Sequence, residues 1–194
     1  DSAELQIHGI ENLVRMEVRQ ADGDGVSNVT LRDLIRTSLR MRPDRIIVGE
    51  VRGEEALDMI QSMNTGHDGS LSTGHANSPQ DMLSRLETMA LFASDIPIQA
   101  IRKQIASSID IIVQLERLRD RSRRVTAIAE VLDCTEDAYI LNPIFEFHEQ
   151  DNLVMESSSY GDIPERVVGQ LERTGYHLMH RRKLHAAALE SAEI

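Results

Sequence analysis

The sequence contains no tryptophan, few aromatic residues and one cysteine, and each shortage excludes something. Aromatic residues make up 3% of the chain, so the predicted core is aliphatic. The single cysteine, Cys134, excludes an internal disulfide and is typical of a reducing compartment. No apolar run approaches the roughly 18 residues that mark a membrane-spanning helix. With 41% hydrophobic and 27% charged residues, the 194-residue chain is predicted to fold as a soluble protein.

Lysine is almost as scarce, because only Lys103 and Lys183 occur and each directly follows an arginine. The phosphate-binding P-loop, G-x-x-x-x-G-K-[ST], requires a lysine after a glycine, so this sequence contains none. We therefore expect the main phosphate cradle of any nucleotide site to lie elsewhere. The net charge of −11 argues against general affinity for nucleic acid. The arginine-rich stretch 117–124 lacks interleaved aromatic residues, which favours a solvated turn over a phosphate-binding surface.

Two short stretches predict the strands of a parallel sheet. Residues 45–51 join a β-branched run to turn residues, and residues 69–73 are small and extended. Helical patterns alternate with them, which predicts an α/β fold with helical crossovers. The other predicted elements are an exposed strand at 13–19, helices at 29–42, 54–63, from Pro79 and at 96–108, a buried strand at 109–115, an antiparallel hairpin of strands 125–131 and 138–147, a linker at 149–161, and helices at about 163–174 and 177–191.

A polar side chain follows each of the two predicted parallel strands. Glu50 comes after the first strand and His75 after the second. If the strands are neighbours, both side chains open onto one crevice, because the carboxyl ends of parallel strands meet at one sheet edge. A carboxylate that polarises water and an imidazole that contacts a phosphate are compatible with phosphoryl transfer.

Three other interpretations of these residues stay open on the sequence alone. Glu50 by itself is also compatible with a solvated carboxylate in a turn. The spacing of His67 and His75 suggests a metal pair, but it fits no usual zinc pattern. Ser72 and Ser78 near His75 suggest a hydrolase, but no G-x-S-x-G nucleophile elbow is present.

Taken in order, the motifs resemble those of the secretion ATPase superfamily. They are MRPDRIIVGEVRG at 41–53, ALDMIQSMNTGHDGSLSTGHANSP at 56–79 and SRLETM at 84–89. The chain is most similar to the tight-adherence (Flp-type) pilus assembly ATPases, followed by conjugative-transfer and type IV secretion ATPases. The resemblance extends from Asp1 to about Val131. The family's N-terminal domain and P-loop precede these motifs, so we expect the chain to be the C-terminal part of a longer protein.

The resemblance implies an incomplete RecA-like P-loop NTPase core that lacks the P-loop strand, with a C-terminal β-hairpin and a helical tail. Residues 1–148 would form the C-terminal part of the ATPase domain. Residues 149–194 would form a linker and a helical extension.

The resemblance also implies catalytic roles for three residues. Glu50 matches the water-orienting carboxylate of an atypical Walker B motif, in which Gly49 replaces the usual aspartate. Residues 1–4 match the end of the acidic Asp box, whose first residue here is Asp1 and whose Glu4 would face the metal and the attacking water. His75 matches the His-box residue that contacts the γ-phosphate or relays its loss.

Three further residues match positions near the nucleotide or the subunit interface. Arg52 and Arg85 would stabilise the site or the interface, and His67 would be structural or adjacent to the site. The implied cofactors are ATP and Mg²⁺, with the metal bound through the nucleotide. The implied partners are other copies of the chain in a homo-hexameric ring and an inner-membrane platform protein, without nucleic acid.

The resemblance predicts a motor that hydrolyses ATP to drive pilus assembly or protein secretion, in the cytoplasm at the bacterial inner membrane. Without a P-loop, this chain alone is expected to be inactive. The alternatives are a non-catalytic assembly or regulatory fragment, a conjugative-transfer or type IV secretion ATPase, and a RecA-like DNA-processing motor.

Overall fold

The computed structural model describes residues 5–21, 27–150 and 166–186. The chain packs as two compact units, residues 1–109 and 110–194. The first unit combines helices with parallel strands and the second is built on an antiparallel sheet, which confirms the α/β class in its general form. The domain boundary expected after residue 148 stays a prediction. Among the described residues, no helix is both long and apolar enough to cross a membrane.

The first unit contains two short strands and four helices. The strands β1 (Ile47–Val48) and β2 (Leu71–Ser72) pair in parallel, with Ile47 opposite Leu71 and Val48 opposite Ser72. Both predicted strands are thus present but shorter than predicted. The helices are α1 (Leu31–Leu39), α2 (Glu55–Met63), α3 (Pro79–Ala93) and α4 (Ile98–Ser108).

Local side chains cap the first turns of two of these helices, α1 and α3. The Thr30 hydroxyl accepts a hydrogen bond from Asp33 N at 3.2 Å, and the Asp33 carboxylate accepts one from Thr30 N at 2.9 Å. This capping box satisfies two backbone donors at the start of α1. Ser78 caps α3 by accepting from Asp81 N at 3.1 Å, and Pro79 occupies the first turn, where it needs no donor. The predicted start of α3 at Pro79 is confirmed, whereas α1 begins at Leu31, two residues after its predicted start.

The core of the first unit is aliphatic, as predicted. Met59 and Ile60 of α2, Leu83 of α3 and Ile101 and Ile105 of α4 are almost fully buried. A buried ion pair links α3 to α4, because the Arg102 guanidinium donates to both Glu87 oxygens, at 2.5 and 3.1 Å. These contacts pack α2, α3 and α4 against one another.

The second unit is a four-stranded antiparallel sheet followed by a short helix. Its strands lie in the order β3 (Ile111–Arg117), β4 (Arg123–Cys134), β5 (Tyr139–Glu149) and β6 (Gly169–Arg173). The helix α5 (Arg182–Ala186) follows. The predicted hairpin is confirmed as β4 and β5, which pair antiparallel. The hairpin adds to β3, and any pairing of β3 with parallel strands stays a prediction.

Two predicted strands differ from the structure. Residues 13–18 form no strand, and only Arg19 forms an antiparallel bridge, to Val29. The prediction for 13–19 is therefore wrong for most of its length, because alternation cannot make a strand without a partner to complete the ladder. The strand predicted at 109–115 exists as β3, but its alternate apolar side chains Ile111, Val113 and Leu115 are exposed rather than buried.

The helix predicted at about 163–174 is wrong where the structure describes it. Residues 169–173 form β6, which pairs antiparallel with β5. Val167, Gly169 and Leu171 are less exposed than Val168, Gln170 and Glu172, so the burial has a period of two. A Cβ on Gly169 would lie 2.5 Å from His148 O, so glycine permits this close approach of the two strands.

The helix predicted at 177–191 is confirmed over Arg182–Ala186 and is wrong over residues 177–181, which form no helix, while residues 187–191 lie outside the described part of the chain. Of the predicted linker 149–161, Glu149 belongs to β5. Residues 151–161 lie outside the described part of the chain.

Candidate functional site

The candidate site lies where the two parallel strands of the first unit end. Beyond the paired residues, Val51 N donates to Thr73 O at 3.0 Å and the Thr73 hydroxyl donates to Gly49 O at 2.6 Å. These bonds keep the two strand segments side by side as far as Glu50 in one segment and the residues before His75 in the other. The two strands are therefore neighbours, which was the condition for Glu50 and His75 to open onto one crevice.

Glu50 and His75 meet at this edge, as predicted. His75 Nε2 lies 3.2 Å from Glu50 Oε1, and Arg52 Nη2 donates to Glu50 Oε2 at 2.6 Å. The Glu50 side chain is 19% exposed, whereas Arg52 is 62% and His75 is 82% exposed. A half-buried carboxylate is therefore covered by two groups that reach it from the solvent side.

The charges around Glu50 keep its carboxyl ionised. The hydrogen bond from Arg52 is the largest influence and lowers the pKa of Glu50. Partial desolvation works in the opposite direction, and the charges of Arg52, His75 and Arg85 lower the pKa further. The pKa of Glu50 therefore lies below its ordinary value, so the carboxylate carries a full negative charge at neutral pH.

The structure places the other predicted site residues in three ways. Arg85, exposed on α3, is close enough for its charge to act on Glu50. His67 contacts the end of α2 instead, because its Nδ1 lies 3.1 Å from Ser62 O and 3.2 Å from Thr65 Oγ1. This position suits a structural role for His67 in the turn before β2. Asp1 and Glu4 lie outside the described residues, so their assignment stays a prediction.

Glu55, a residue that the sequence interpretation missed, organises the turn between Glu50 and α2. Its Oε1 accepts hydrogen bonds from Arg52 N at 2.7 Å and from Gly53 N at 3.0 Å. A Cβ on Gly53 would lie 3.3 Å from Glu55 Oε2, so glycine leaves room for the carboxylate. Glu55 thereby holds the backbone that presents Arg52 to Glu50. An acidic residue in the first turn of a helix was the available signal.

A cavity of about 270 Å³ opens beside this cluster. One part of its wall is charged and is formed by Glu50, Arg52 and Glu55. The irregular segment at 13–20 closes part of the opposite side. The remaining lining residues are Met16, Val18, Gln20, Leu31, Leu34 and Gly49. The carboxylate of Glu50 thus lies in a partly apolar recess, which strengthens electrostatic interactions at that point.

Among the residues that the structure describes, no group of three or more His, Cys, Asp or Glu side chains could hold a metal ion by itself. Both oxygens of Glu50 already contact a cationic or potentially cationic group. The arrangement therefore suits contact with a water molecule or with an anion that Arg52 and His75 attract.

Comparison with known proteins identifies relatives of the chain. The family model described as "Type II/IV secretion system protein" matches residues 1–159. This match includes every residue of the cluster around Glu50.

Two curated relatives are similar to the first two thirds of the chain. A Mycobacterium tuberculosis protein named for conjugal transfer is 40% identical over 129 residues, which are 66% of this chain and 36% of that protein. The type IV secretion system protein PtlH of Bordetella pertussis is 34% identical over 127 residues, 64% of this chain and 38% of PtlH. The chain thus spans little more than a third of the length of these relatives.

A solved structure resembles part of the chain. The crystal structure of the VirB11 ATPase from the Brucella suis type IV secretion system, in complex with sulphate, matches with a TM-score of 0.50 at 33% identity. The match covers 53% of this chain and 32% of that protein.

Proposed function

This chain belongs to the type II/IV secretion system protein family, and from that premise we propose that it is the C-terminal part of an ATP-hydrolysing motor that powers pilus assembly or protein secretion. The observation that carries the proposal is the contact of Glu50 with both His75 and Arg52 at the end of two parallel strands. Open α/β sheets place their chemistry at this edge.

Glu50 is proposed to orient the water molecule that attacks the γ-phosphate of ATP. Its lowered pKa makes it a weak proton acceptor, and a carboxylate that stays ionised suits positioning better than proton abstraction. Phosphoryl transfer depends mainly on positioning and electrostatic stabilisation, so a base with a high pKa is not required.

His75 and Arg52 are proposed to contact the phosphate end of the nucleotide. Both side chains are well exposed, and both remain tethered to Glu50. A phosphate that engages either group also changes its hold on Glu50, which provides a link between the state of the nucleotide and the carboxylate. Arg85 and His67 are proposed to support the site or the subunit interface, and Asp1 and Glu4 to form the end of the Asp box.

Mg²⁺ is proposed to bind mainly through the ATP phosphates. The donor set fits this arrangement, because both Glu50 oxygens are engaged by Arg52 and His75. A bound Mg²⁺ would neutralise charge that develops on the phosphates. Glu50 would act on the attacking water, and Glu4 is proposed to face the metal and that water.

The RecA-like core is proposed to be completed by the rest of a longer protein. Ile47 and Leu71 of the two-stranded sheet are 40% and 57% exposed, which is unusual for parallel strands. The second unit likewise exposes the apolar side chains of its edge strand β3. Helices or a second sheet packed on these faces would cover both surfaces. We propose that the complete subunits form a hexameric ring at the cytoplasmic face of the bacterial inner membrane and act on a platform protein there.

Two alternative functions are also supported. The names of the relatives favour a conjugative-transfer or type IV secretion system as the machinery that the motor serves. The lack of a P-loop in these 194 residues favours a fragment that keeps an interface without turnover.

An ATPase assay of the 194-residue chain beside the full-length protein separates the motor from the fragment. The proposal predicts turnover by the full-length protein and background turnover by the chain, because the phosphate cradle is expected outside it. Sustained hydrolysis by the purified chain, or none by the full-length protein, would contradict this account. A P-loop sequence upstream of Asp1 would support it independently.

A further inference from the structure

The turn between β3 and β4, residues 117–124, is the most basic part of an acidic chain. We call it the arginine tip. It contains five arginines in eight residues, while the whole chain has a net charge of −11. Its backbone closes on itself, because Leu118 N donates to Ser122 O at 2.9 Å and Arg121 N donates to Leu118 O at 2.8 Å.

Two of the five arginines have partners within the fold. Arg119 forms an ion pair with the carboxylate of Glu149. The Arg124 guanidinium lies 5.9 Å from the centre of the Phe147 ring and also contacts a backbone carbonyl. These contacts attach the base of the tip to the neighbouring strand β5.

The other three arginines extend into solvent. Arg117, Arg121 and Arg123 are exposed, and in the described part of the chain no carboxylate pairs with them. Arg117 and Arg123 are cross-strand partners, and like charges directly opposite each other destabilise a sheet. Arg121 has φ +66°, a left-handed conformation that is unfavourable for a side chain without local polar groups. Two locally unfavourable features therefore accompany the three exposed guanidinium groups.

A single carboxylate holds the tip in one conformation. Asp120 Oδ1 accepts from Ser122 N at 2.9 Å and from Ser122 Oγ at 2.7 Å, and Oδ2 accepts from Val167 N at 3.0 Å. The hydrogen bonds from Ser122, followed by that from Val167, lower the pKa of Asp120 to about 2. The three guanidinium groups are therefore carried on a turn that is fixed before any partner binds.

We propose that the arginine tip binds an acidic segment of a partner protein, with Arg117, Arg121 and Arg123 pairing with carboxylates of that segment. The guanidinium fork matches a carboxylate in two parallel hydrogen bonds, and a turn held by the Asp120 contacts needs less ordering when an acidic segment binds. The inference does not depend on the proposed ATPase activity.

Two other anionic partners fit the tip less well. A fluid lipid surface gains little from a fixed arrangement of three arginines, because its headgroups move independently of one another. Single-stranded nucleic acid is usually bound by aromatic side chains on which bases stack, and residues 117–124 contain none.

The test measures binding of a fluorescent oligoglutamate peptide to the 194-residue chain at a fixed, near-physiological salt concentration. The triple variant Arg117→Gln, Arg121→Gln, Arg123→Gln is expected to bind at least about tenfold more weakly. A matched triple, Arg40→Gln, Arg42→Gln, Arg182→Gln, removes the same charge from exposed positions that do not contact the tip and is expected to change the affinity by less than about twofold. Circular dichroism and amide spectra confirm that each variant is folded.

A second variant separates fixed geometry from net charge. Asp120→Ala removes the carboxylate that holds the turn but makes the tip more positive. The proposal predicts weaker binding, by about fivefold, whereas simple charge attraction predicts stronger binding.

Several results would overturn the proposal. They are absence of peptide binding by the unmodified chain, an equal loss in the matched triple, and stronger binding by Asp120→Ala. Tighter tip-dependent binding to phosphatidylglycerol vesicles or to a single-stranded oligonucleotide would assign the surface to lipid or nucleic acid instead. Stronger peptide binding after neutralisation of the acidic residues in 151–165 would identify this chain's own segment as the occupant; those residues are Asp151, Glu156, Asp162 and Glu165.

Discussion

Glu50 in the first unit and Glu130 in the second are both shielded carboxylates with a lowered pKa, but different groups stabilise them. Glu50 is held by two exposed side chains, the guanidinium of Arg52 and the imidazole of His75. Glu130 is 1% exposed. It accepts hydrogen bonds from Met179 N at 2.9 Å, from His180 N at 2.7 Å and from the Asn142 side chain at 2.9 Å.

The difference separates a carboxylate that can exchange partners from one that cannot. Burial acts to raise the pKa of Glu130, but the backbone donors, the Asn142 amide and the charge of His180 together lower it below its ordinary value. The Met179 and His180 amides lie on the segment after β6 and would lose their acceptor without the carboxylate. Around Glu50, by contrast, Arg52 and His75 can turn toward an anionic ligand without breaking the backbone. We infer a structural role for Glu130 and a functional role for Glu50.

The largest expected effect on stability is at Glu130. Glu130→Ala leaves the part-buried amides of Met179 and His180 without an acceptor, so we expect the free energy of unfolding to fall by about 2–4 kcal/mol. Urea denaturation followed by circular dichroism measures it. Glu146→Ala, on the exposed face of β5, is the matched control and should cost no more than about 0.5 kcal/mol. If Glu130→Ala and Glu146→Ala lowered the free energy of unfolding equally, the structural role inferred for Glu130 would be contradicted.

The next effect concerns Glu55, which acts on Glu50 only through the turn. Glu55→Ala should expose the Arg52 and Gly53 amides to faster hydrogen exchange and lower ATP hydrolysis by the full-length protein by about tenfold, because a misplaced group weakens positioning. Glu55→Gln keeps an acceptor oxygen, so it should restore most of the protection of the two amides from exchange and most of the ATP hydrolysis. The neighbouring Glu54→Ala serves as the control. Unchanged exchange at Arg52 and Gly53 in Glu55→Ala would show that Glu55 does not hold the turn.

The smallest effect is the pH dependence of stability. The folded-state pKa of Glu130 lies below its unfolded value near 4.5, so its contribution is present above that pH and is lost as the pH falls through the folded value. Denaturation midpoints measured downward from about pH 5 should therefore decline, and Glu130→Gln should flatten that decline. Glu50→Gln should flatten it less. A steeper decline in Glu130→Gln would reverse the assigned sign.

The sequence predicted the meeting of Glu50 and His75 because parallel strands bring their carboxyl ends to one edge, whatever the details of packing. It did not predict Glu55, whose role depends on a side chain that bends back onto its own turn. It could not predict the contacts of Glu130 either, because Met179 and His180 are about fifty residues away along the chain.

Dependence on residues far away along the chain also explains why the helix prediction at 163–174 is wrong. Val167, Val168 and Leu171 match both a helical and an alternating pattern over so short a stretch. Pairing with β5 decides in favour of a strand, and the approach of Gly169 to His148 O shows how close the two strands lie. The capped starts of α1 and α3 were predictable because Thr30 and Ser78 act within three residues of their own position.

The most direct test of the functional role of Glu50 is Glu50→Gln in the full-length protein, with nucleotide affinity and steady-state hydrolysis measured on the same preparation. We predict that hydrolysis falls by about 10²–10⁴-fold while the affinity for ATP changes by less than about twofold, because the amide cannot hold the attacking water as a carboxylate does. Glu54→Gln should leave both unchanged. Hydrolysis by Glu50→Gln at the rate of the unmodified protein would contradict the account.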